Sequence, residues 1–509
     1  MRGMNHNMSA SREKKKRQEQ TSAESTSALE SKKGMNKTVK TVLYAVIAVV
    51  LVAVIVFLGM VTSGFFITHT TAALVNGHKL TPAMVNYYYA SSYQEMSSLL
   101  SYVADPNTPL DEQAYMSDEF DTWHDYLVDY ALSSAASTYA IYDEAVANGY
   151  TLSESAQASL DSQLQMLELY ASMSGFTSAD AYVSAMYGKG CNAKSFQEYL
   201  TVNYTAQDYA SHIYSELTYS QDEIDAYYAD HTGDFDGVTF RQFNLTAEAD
   251  TTDENGESTV SEEALAAVEE KAKAMAEASQ GNEQAFLDLC LENTAENAQA
   301  DYDASVSTLR TDIAKNNCVE AIRSWLSDDA RQAGDTTYIY NTTNGYYVLY
   351  FLEQTDHSFQ LPNVRHILIG LDDTTDTAAM EEAKAEAEAL LAEFLAGNAT
   401  EEDFAALANE KSTDTGSNTN GGLYENITPG SMADTFDAWC FDETRQPGDT
   451  GIVETQYGYH IMYFSGYGEV YQNYLVESKM AQEDYTAWQS EVSADLSWEL
   501  YSDKYVTVR

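Results

Sequence analysis

The run from Thr41 to Ile67 is twenty-seven residues long, carries no charge and is rich in Val, Ala, Leu and Ile. About twenty such residues in a helix span the hydrocarbon core of a bilayer, so this stretch predicts one transmembrane helix over 41–67. Lys32, Lys33, Lys37 and Lys40 stand just before it, behind an earlier cluster of Arg12, Lys14, Lys15, Lys16 and Arg17. The positive-inside bias then keeps the N-terminus in the cytoplasm and exports everything after the helix, a single-pass cell-membrane topology. A cleaved leader is the alternative, but the forty-residue polar stretch ahead of the run and the length of the run itself argue against cleavage. No Cys occurs near the end of the run, so a lipid-modified cysteine is not the anchor. Residues 1–40 are rich in Ser, Lys and Glu without apolar periodicity and read as a disordered basic cytoplasmic tail.

A chain of 509 residues is too long for one core, and several domains are expected. Its 79 acidic and 27 basic side chains give a formal charge of −52, and because residues 1–40 hold ten basic against four acidic side chains, everything beyond them carries −58. A body this acidic repels phosphate backbones and anionic headgroups, which argues against nucleic acid and peripheral membrane surfaces as partners. Cys191, Cys290, Cys318 and Cys440 are too few and too scattered for a disulfide scaffold or a zinc site. Cys290 and Cys318 could pair; otherwise all four are buried thiols. No metal, nucleotide or other cofactor is expected.

After the apolar run, Ala73-Leu74-Val75 and a turn at Asn76-Gly77 precede a helix start at Thr81-Pro82. Residues 72–235 then read as a helical domain. Trp123, Tyr126 and Tyr130, or Leu160, Leu164 and Leu167, recur at helical spacing with few Gly or Pro between them. Tyr is abundant, 38 in all, and stripes of it are core before they are anything else, though hydroxyl-tipped aromatic surface also suits loose binding of unfolded chains. The last segment, 469–509, reads as helical again, with Tyr471, Tyr474, Met480, Tyr485, Trp488, Val492 and Leu496 on its buried face, and is expected to complete the 72–235 domain.

Between these lies a repeat. Trp325 to Thr336 matches Trp439 to Thr450 at seven of twelve positions, and each copy runs on into a hairpin, with Gly345-Tyr346-Tyr347-Val348 set against Gly458-Tyr459-His460-Ile461. A strand and then a long helix precede each copy, so two small α+β domains are expected in tandem, over 236–355 and 360–467. In the second, Val364 to Ile369 alternates as a strand and Asp372 to Asp376 leads into a helix with Met380, Ala383, Ala387, Leu390, Leu391 and Phe394 on one face. Thr400 with Asp403 caps the next helix, and Ser412 to Gly422 is a polar loop.

Arg365-His366-Ile367-Leu368, then Ser412-Thr413-Asp414, Gly421-Gly422-Leu423, Met432, Phe436, and Thr455-Gln456-Tyr457-Gly458-Tyr459-His460-Ile461 occur in that order. Over about a hundred residues this set resembles the parvulin family of peptidyl-prolyl cis/trans isomerases. The whole body, more loosely, resembles the SurA- and PrsA-type extracytoplasmic foldases. The resemblance implies a chaperone-like helical domain and two parvulin-like domains behind one transmembrane helix. It implies His366 and His460 as the paired histidines under the active site, Asp414 as its carboxylate, and Thr455 as a hydroxyl in the same network. Leu423, Met432 and Phe436 would form the apolar pocket for the proline ring. Two departures stand out: Tyr424, where many relatives have Gly, and one extra residue between Leu423 and Met432.

Each residue has a plainer reading beside this one. His366 shares a strand face with Val364 and Leu368, and His460 with Met462 and Phe464, so either alone would be an ordinary core histidine. Met432 and Phe436 at i, i+4 would alone be core, and Asp414 a solvated loop acid. The first copy lacks the set: Gln242 stands in place of His366, Tyr347 in place of His460 and Glu296 near the place of Asp414. It is expected to be a degenerate domain serving as scaffold or peptide surface. Selectivity for a phosphorylated residue before proline would need Arg or Lys by the pocket, whereas the loop here is Asp372-Asp373-Thr374-Thr375-Asp376. The expected clients are unfolded or partly folded exported polypeptides with X-Pro bonds. A holdase whose isomerase is dispensable, or a surface protein using such modules as spacers, are the competing readings.

Overall fold

The computed structural model describes residues 37–62, 65–252, 258–371, 373–504 and 506, and it divides into two compact units, Met1–Glu216 with Ala487–Arg509, and Leu217–Thr486. The fold is multidomain and mixes helix and sheet. Most of the tail expected over 1–40, and Asp372 of the acidic loop, lie outside the described residues.

In the first unit Lys37–Thr62 is one helix of 26 residues, about 39 Å at 1.5 Å per residue. Its segment Ala45–Thr62 has a mean hydropathy of 3.1 and contains no buried residue, so it is long and apolar enough to cross a membrane. Strands β1 (Ala73–Val75) and β2 (His78–Leu80) then form a hairpin. Its turn, Asn76-Gly77, has positive φ at both residues, the conformation that suits a two-residue hairpin and that Asn-Gly tolerates. The helix Pro82–Glu95 starts on the Thr81 hydroxyl, which accepts from the Met84 N–H, with Pro82 at the first helical position. Tyr87, Tyr88 and Tyr89 are all buried in it, and the Tyr87 hydroxyl pairs with Ser195 Oγ at 2.7 Å, so these tyrosines are core with satisfied tips.

The end of the chain departs from the helical expectation. The helix Tyr471–Val492 stops, and Trp498–Leu500 pairs antiparallel with the free edge of β1, Ala73 opposite Leu500. An edge strand with unpaired backbone groups is a strong attractor for any extended segment, which overrides weak helical periodicity. Val476 and Ala481 are the buried side chains of this helix. Of the residues expected on the buried face, Met480 packs against the Val476 cluster, and Leu496, beyond the helix end, packs against the core of the first unit, while Tyr471 and Trp488 are only partly covered.

The second unit holds two antiparallel four-stranded sheets. The first is built from β3 (Gly237–Thr246), β4 (Leu309–Ala314), β5 (Thr336–Tyr340) and β6 (Gly345–Thr355), in the order β4-β3-β6-β5. The second is built from β7 (Gln360–Gly370), β8 (Leu423–Tyr424), β9 (Thr450–Thr455) and β10 (Gly458–Val470), in the order β8-β7-β10-β9. Registers correspond as well. Gln242 lies opposite Leu349 and Asn244 opposite Tyr347, as His366 lies opposite Met462 and Leu368 opposite His460.

The sequence repeat builds a corner before the closing hairpin of each sheet. Arg331 lies 4.1 Å over the Trp325 ring and Arg445 lies 4.0 Å over Trp439, while each Arg Nε donates to the backbone oxygen of its own Trp. Asp328 and Asp442 pair with these guanidinium groups. Asp335 accepts from the Gln332 N–H and Asp449 from the Gln446 N–H, and Gly334 and Gly448 supply φ of 94° and 95°. The matched residues thus hold a shared turn, and their agreement is structural.

β7 separates two cores. Ile367 and Ile369 face the helices Thr377–Ala396 and Glu401–Lys411, packing on Ala387, Phe394 and Phe404, and a fully buried side chain such as Phe404 contributes roughly 1.5–3 kcal/mol. On the opposite face Val364, Met462 and Phe464 pack under the helix Asp434–Cys440 through Phe436 and Cys440. All four cysteines are free and buried. Cys290 packs with Val348 and Tyr350, Cys318 with Leu349 and Phe351. Alternation along β6 therefore puts the two on opposite faces of the sheet, and the pairing considered above does not form.

Candidate active site

His366 and His460 project from β7 and β10 onto the face covered by the helix Asp434–Cys440, and each is at least 94% buried. Their rings stack at 5.2 Å between centroids, and Phe436 sets its edge against both, at 5.4 and 5.3 Å. The loop after the helix Glu401–Lys411 brings Asp414 to them. That loop returns along β7, with His366 N–H donating to the Gly422 oxygen at 2.9 Å, and Gly422 has φ of 70°. A Cβ there would drive into the His366 carbonyl oxygen, so the close approach requires glycine.

One chain of hydrogen bonds links the polar groups. Thr455 Oγ1 and His460 Nε2 are 2.8 Å apart, His460 Nδ1 and His366 Nδ1 3.0 Å, and His366 Nε2 and Asp414 Oδ2 2.9 Å. An ionised Asp414 only accepts, so His366 Nε2 carries a hydrogen; a neutral His366 then has a bare Nδ1, to which His460 Nδ1–H donates. His460 Nε2 is left bare and accepts the Thr455 hydroxyl. The direction runs from Thr455 to Asp414 with both imidazoles neutral. Burial lowers the pKa of both histidines. His460 falls to about 4, with His366 beside it adding to the effect, while His366 is lowered against the opposing pull of Asp414. Burial works against ionisation of Asp414, but hydrogen bonds from Ser417, His366 and the Gly416 N–H outweigh it and bring its pKa down to about 2.

Beside this network lies a cavity of about 250 Å³ lined by His366, Leu368, Asp414, Tyr424, Met432, Ala433, Phe436, Tyr457 and His460. It is close to the lower end of the roughly 300–1,000 Å³ seen for small-molecule sites and is apolar apart from the network groups. It opens beside a groove of about 1,070 Å³ that shares Met432, Ala433 and Tyr457 and includes Thr455, Asp434 and Glu454. Neither lining contains Lys or Arg.

The structure thus brings together His366, Asp414, Thr455 and His460, and places Met432 and Phe436 in the cavity wall. Leu423 is not among the lining residues. It stands opposite Arg365 in β8, whereas Tyr424 stands opposite Val364 and so shares the face of His366. Tyr424 therefore occupies the wall that the sequence reading gave to Leu423. Ser417, 1% exposed, was missed: its Oγ donates to Asp414 Oδ2 at 2.5 Å. A Ser three residues beyond an acid in a turn-forming loop is the signal that could have found it. In the first sheet Gln242 donates to Asn244 Oδ1, Tyr347 is half-buried and Glu296 is exposed, with no imidazole in the corresponding places.

Residues 347–465 match the family described as the PPIC-type PPIASE domain. Foldase protein PrsA 1 of Listeria innocua is 44% identical over 61 residues, 12% of this chain and 21% of that protein. Chaperone SurA of Pseudomonas fluorescens is 33% identical over 132 residues, 25% of this chain and 29% of that protein. The chain therefore matches between about a fifth and a third of the length of these relatives. The crystal structure of PrsA from Bacillus subtilis is 14% identical, with 76% of this chain and 91% of that chain covered, at a TM-score of 0.25.

Proposed function

We propose, from the premise that residues 347–465 are a parvulin-type domain, that this protein is a membrane-anchored extracytoplasmic foldase that accelerates cis/trans exchange at X-Pro bonds of exported polypeptides. The observation that carries the reading is the Thr455–His460–His366–Asp414 chain of hydrogen bonds running beside an apolar cavity. Rotation about an X-Pro bond must break amide resonance, a barrier of about 18–20 kcal/mol. No nucleophile is needed. Removing about 4 kcal/mol already gives roughly a thousandfold. Met432, Phe436 and Leu368 grip the ring. Resonance places negative charge on the carbonyl oxygen of the planar amide, and this charge recedes as the bond twists. A fixed carboxylate nearby disfavours the planar form and so favours the twisted one. The neutral histidines hold Asp414 in place without cancelling its charge. A pocket and groove without Lys or Arg agree with clients that are not phosphorylated before proline.

The helix Lys37–Thr62 would be the anchor, with the basic residues before it on the cytoplasmic side. The 236–355 domain reads as a degenerate copy, supported by its equal strand order and register and its lack of both histidines. A second reading is a holdase whose isomerase is dispensable, with the exposed Tyr102, Met116 and Met173 of the helical unit as the side chains it would offer to clients. A protease-coupled peptide assay on the protein tests the first reading. Equal rates for the wild type and Asp414→Ala with His460→Ala would defeat it. Unchanged suppression of client aggregation in that same double variant would favour the holdase.

A further inference from the structure

We propose that Tyr424 is a positioning residue of this isomerase site, its ring walling the proline cavity while its hydroxyl fixes the carboxylate of Asp414. The inference rests on the isomerase reading above and names a residue that the sequence motif leaves out. Three donors meet on one oxygen of Asp414: His366 Nε2 at 2.9 Å, Ser417 Oγ at 2.5 Å and the Tyr424 hydroxyl at 3.1 Å. The other oxygen accepts the Gly416 N–H at 3.1 Å. A carboxylate held at both oxygens, and from three sides at one of them, cannot swing away from the place where the amide must sit.

The three donors do not hold equivalent positions. Ser417 is buried away from the cavity, and His366 is committed to the relay through its other nitrogen. His366 and Tyr424 both line the cavity and reach the aspartate, but only Tyr424 does so without a place in the Thr455–His460–His366 chain, its ring 5.4 Å from that of His366. Burial, then the charge of Asp414, raises its pKa, so through neutral pH it is a protonated phenol and can only donate to the carboxylate. The side chain that shapes the pocket is therefore also one that aims the charge, and a proline ring seated in the cavity presses on the group that orients its catalyst.

A double-mutant cycle on the full chain tests this, with kcat and KM measured separately for one X-Pro peptide in wild type, Tyr424→Phe, Asp414→Asn and the double variant. Tyr424→Phe keeps the wall and loses the hydroxyl. The expected result is a fall in kcat of roughly three- to tenfold, as for loss of one of several hydrogen bonds to a charge, with KM within about twofold. In the Asp414→Asn background the same change should cost less than about 1.5-fold, because the charge it aims is gone. Wild-type kcat in Tyr424→Phe, or an undiminished loss in the Asp414→Asn background, overturns the proposal while leaving the isomerase reading standing. Wild-type kcat in Asp414→Asn means that no charge is being aimed and overturns the proposal, whereas a folded wild type that does not accelerate the exchange overturns the isomerase reading and the proposal with it.

Discussion

Replacing Asp414 by Asn keeps the shape of the site and removes its charge. Two effects follow. The first is catalytic: at an effective dielectric of about 20, unit charges about 4 Å apart interact by about 4 kcal/mol, and transfer of roughly a third to a half of a charge on twisting leaves about 1.5–2 kcal/mol. That predicts a fall of about 10- to 30-fold in kcat/KM at pH 7. The second is on stability. The Asp414 carboxyl is held at about 2 against an ordinary 3.8, a difference worth about 2.4 kcal/mol. Solvent at its side chain, 20% exposed, trims this to about 1–2 kcal/mol. A depressed carboxyl pKa stabilises the fold above the unfolded value near 3.8 and ceases to do so as pH falls through about 2. The variant should thus unfold earlier in urea at pH 7, with the difference from wild type closing toward pH 2. Peptide isomerisation and urea titration, each at both pH values where the protein remains folded, are the assays. A folded Asp414→Asn protein that isomerises at the wild-type rate would refute the electrostatic argument.

His460 has its pKa lowered by burial, to about 4, below the ordinary 6.5, so its contribution is full above 6.5 and is lost as pH falls toward 4. The melting temperature of the second unit should fall over that window by calorimetry, and more shallowly in His460→Gln. Arg445→Ala removes the stack on Trp439 and the bond to its backbone oxygen, and Arg331→Ala does the same at the first corner; each should cost about 1–2 kcal/mol in chemical denaturation. Deleting residues 41–67 should move the protein from the membrane fraction to the soluble fraction with kcat/KM unchanged, as read by fractionation and the peptide assay.

The histidines, Asp414 and Thr455 were legible because their chemistry comes as an ordered set of residue types on strands long enough to fix a face. Leu423 and Tyr424 were not separable, since β8 has two residues and its register is set only by pairing with β7. Ser417 hides in a polar loop where any hydroxyl looks solvated, and only the folded turn brings it onto Asp414. The repeat was legible as a repeat, but its cause, an Arg stacked on a Trp at a shared corner, is a contact that composition does not carry. Trp498–Leu500 was invisible as a strand because its partner, β1, lies more than four hundred residues away, with Ser497 N–H bonded to Asn76 Oδ1 across a separation of 421. Local periodicity cannot report a pairing of that range.

The central claim is that the cavity beside His366, His460 and Asp414 turns over X-Pro bonds. Two-dimensional NMR exchange spectroscopy on a short proline peptide, with a catalytic amount of the protein, observes that event with no coupling enzyme. The predicted result is strong cis/trans exchange cross-peaks with the wild type, and their disappearance with Asp414→Ala and His460→Ala combined. Cross-peaks of equal strength from both proteins, or none from the folded wild type, would contradict it.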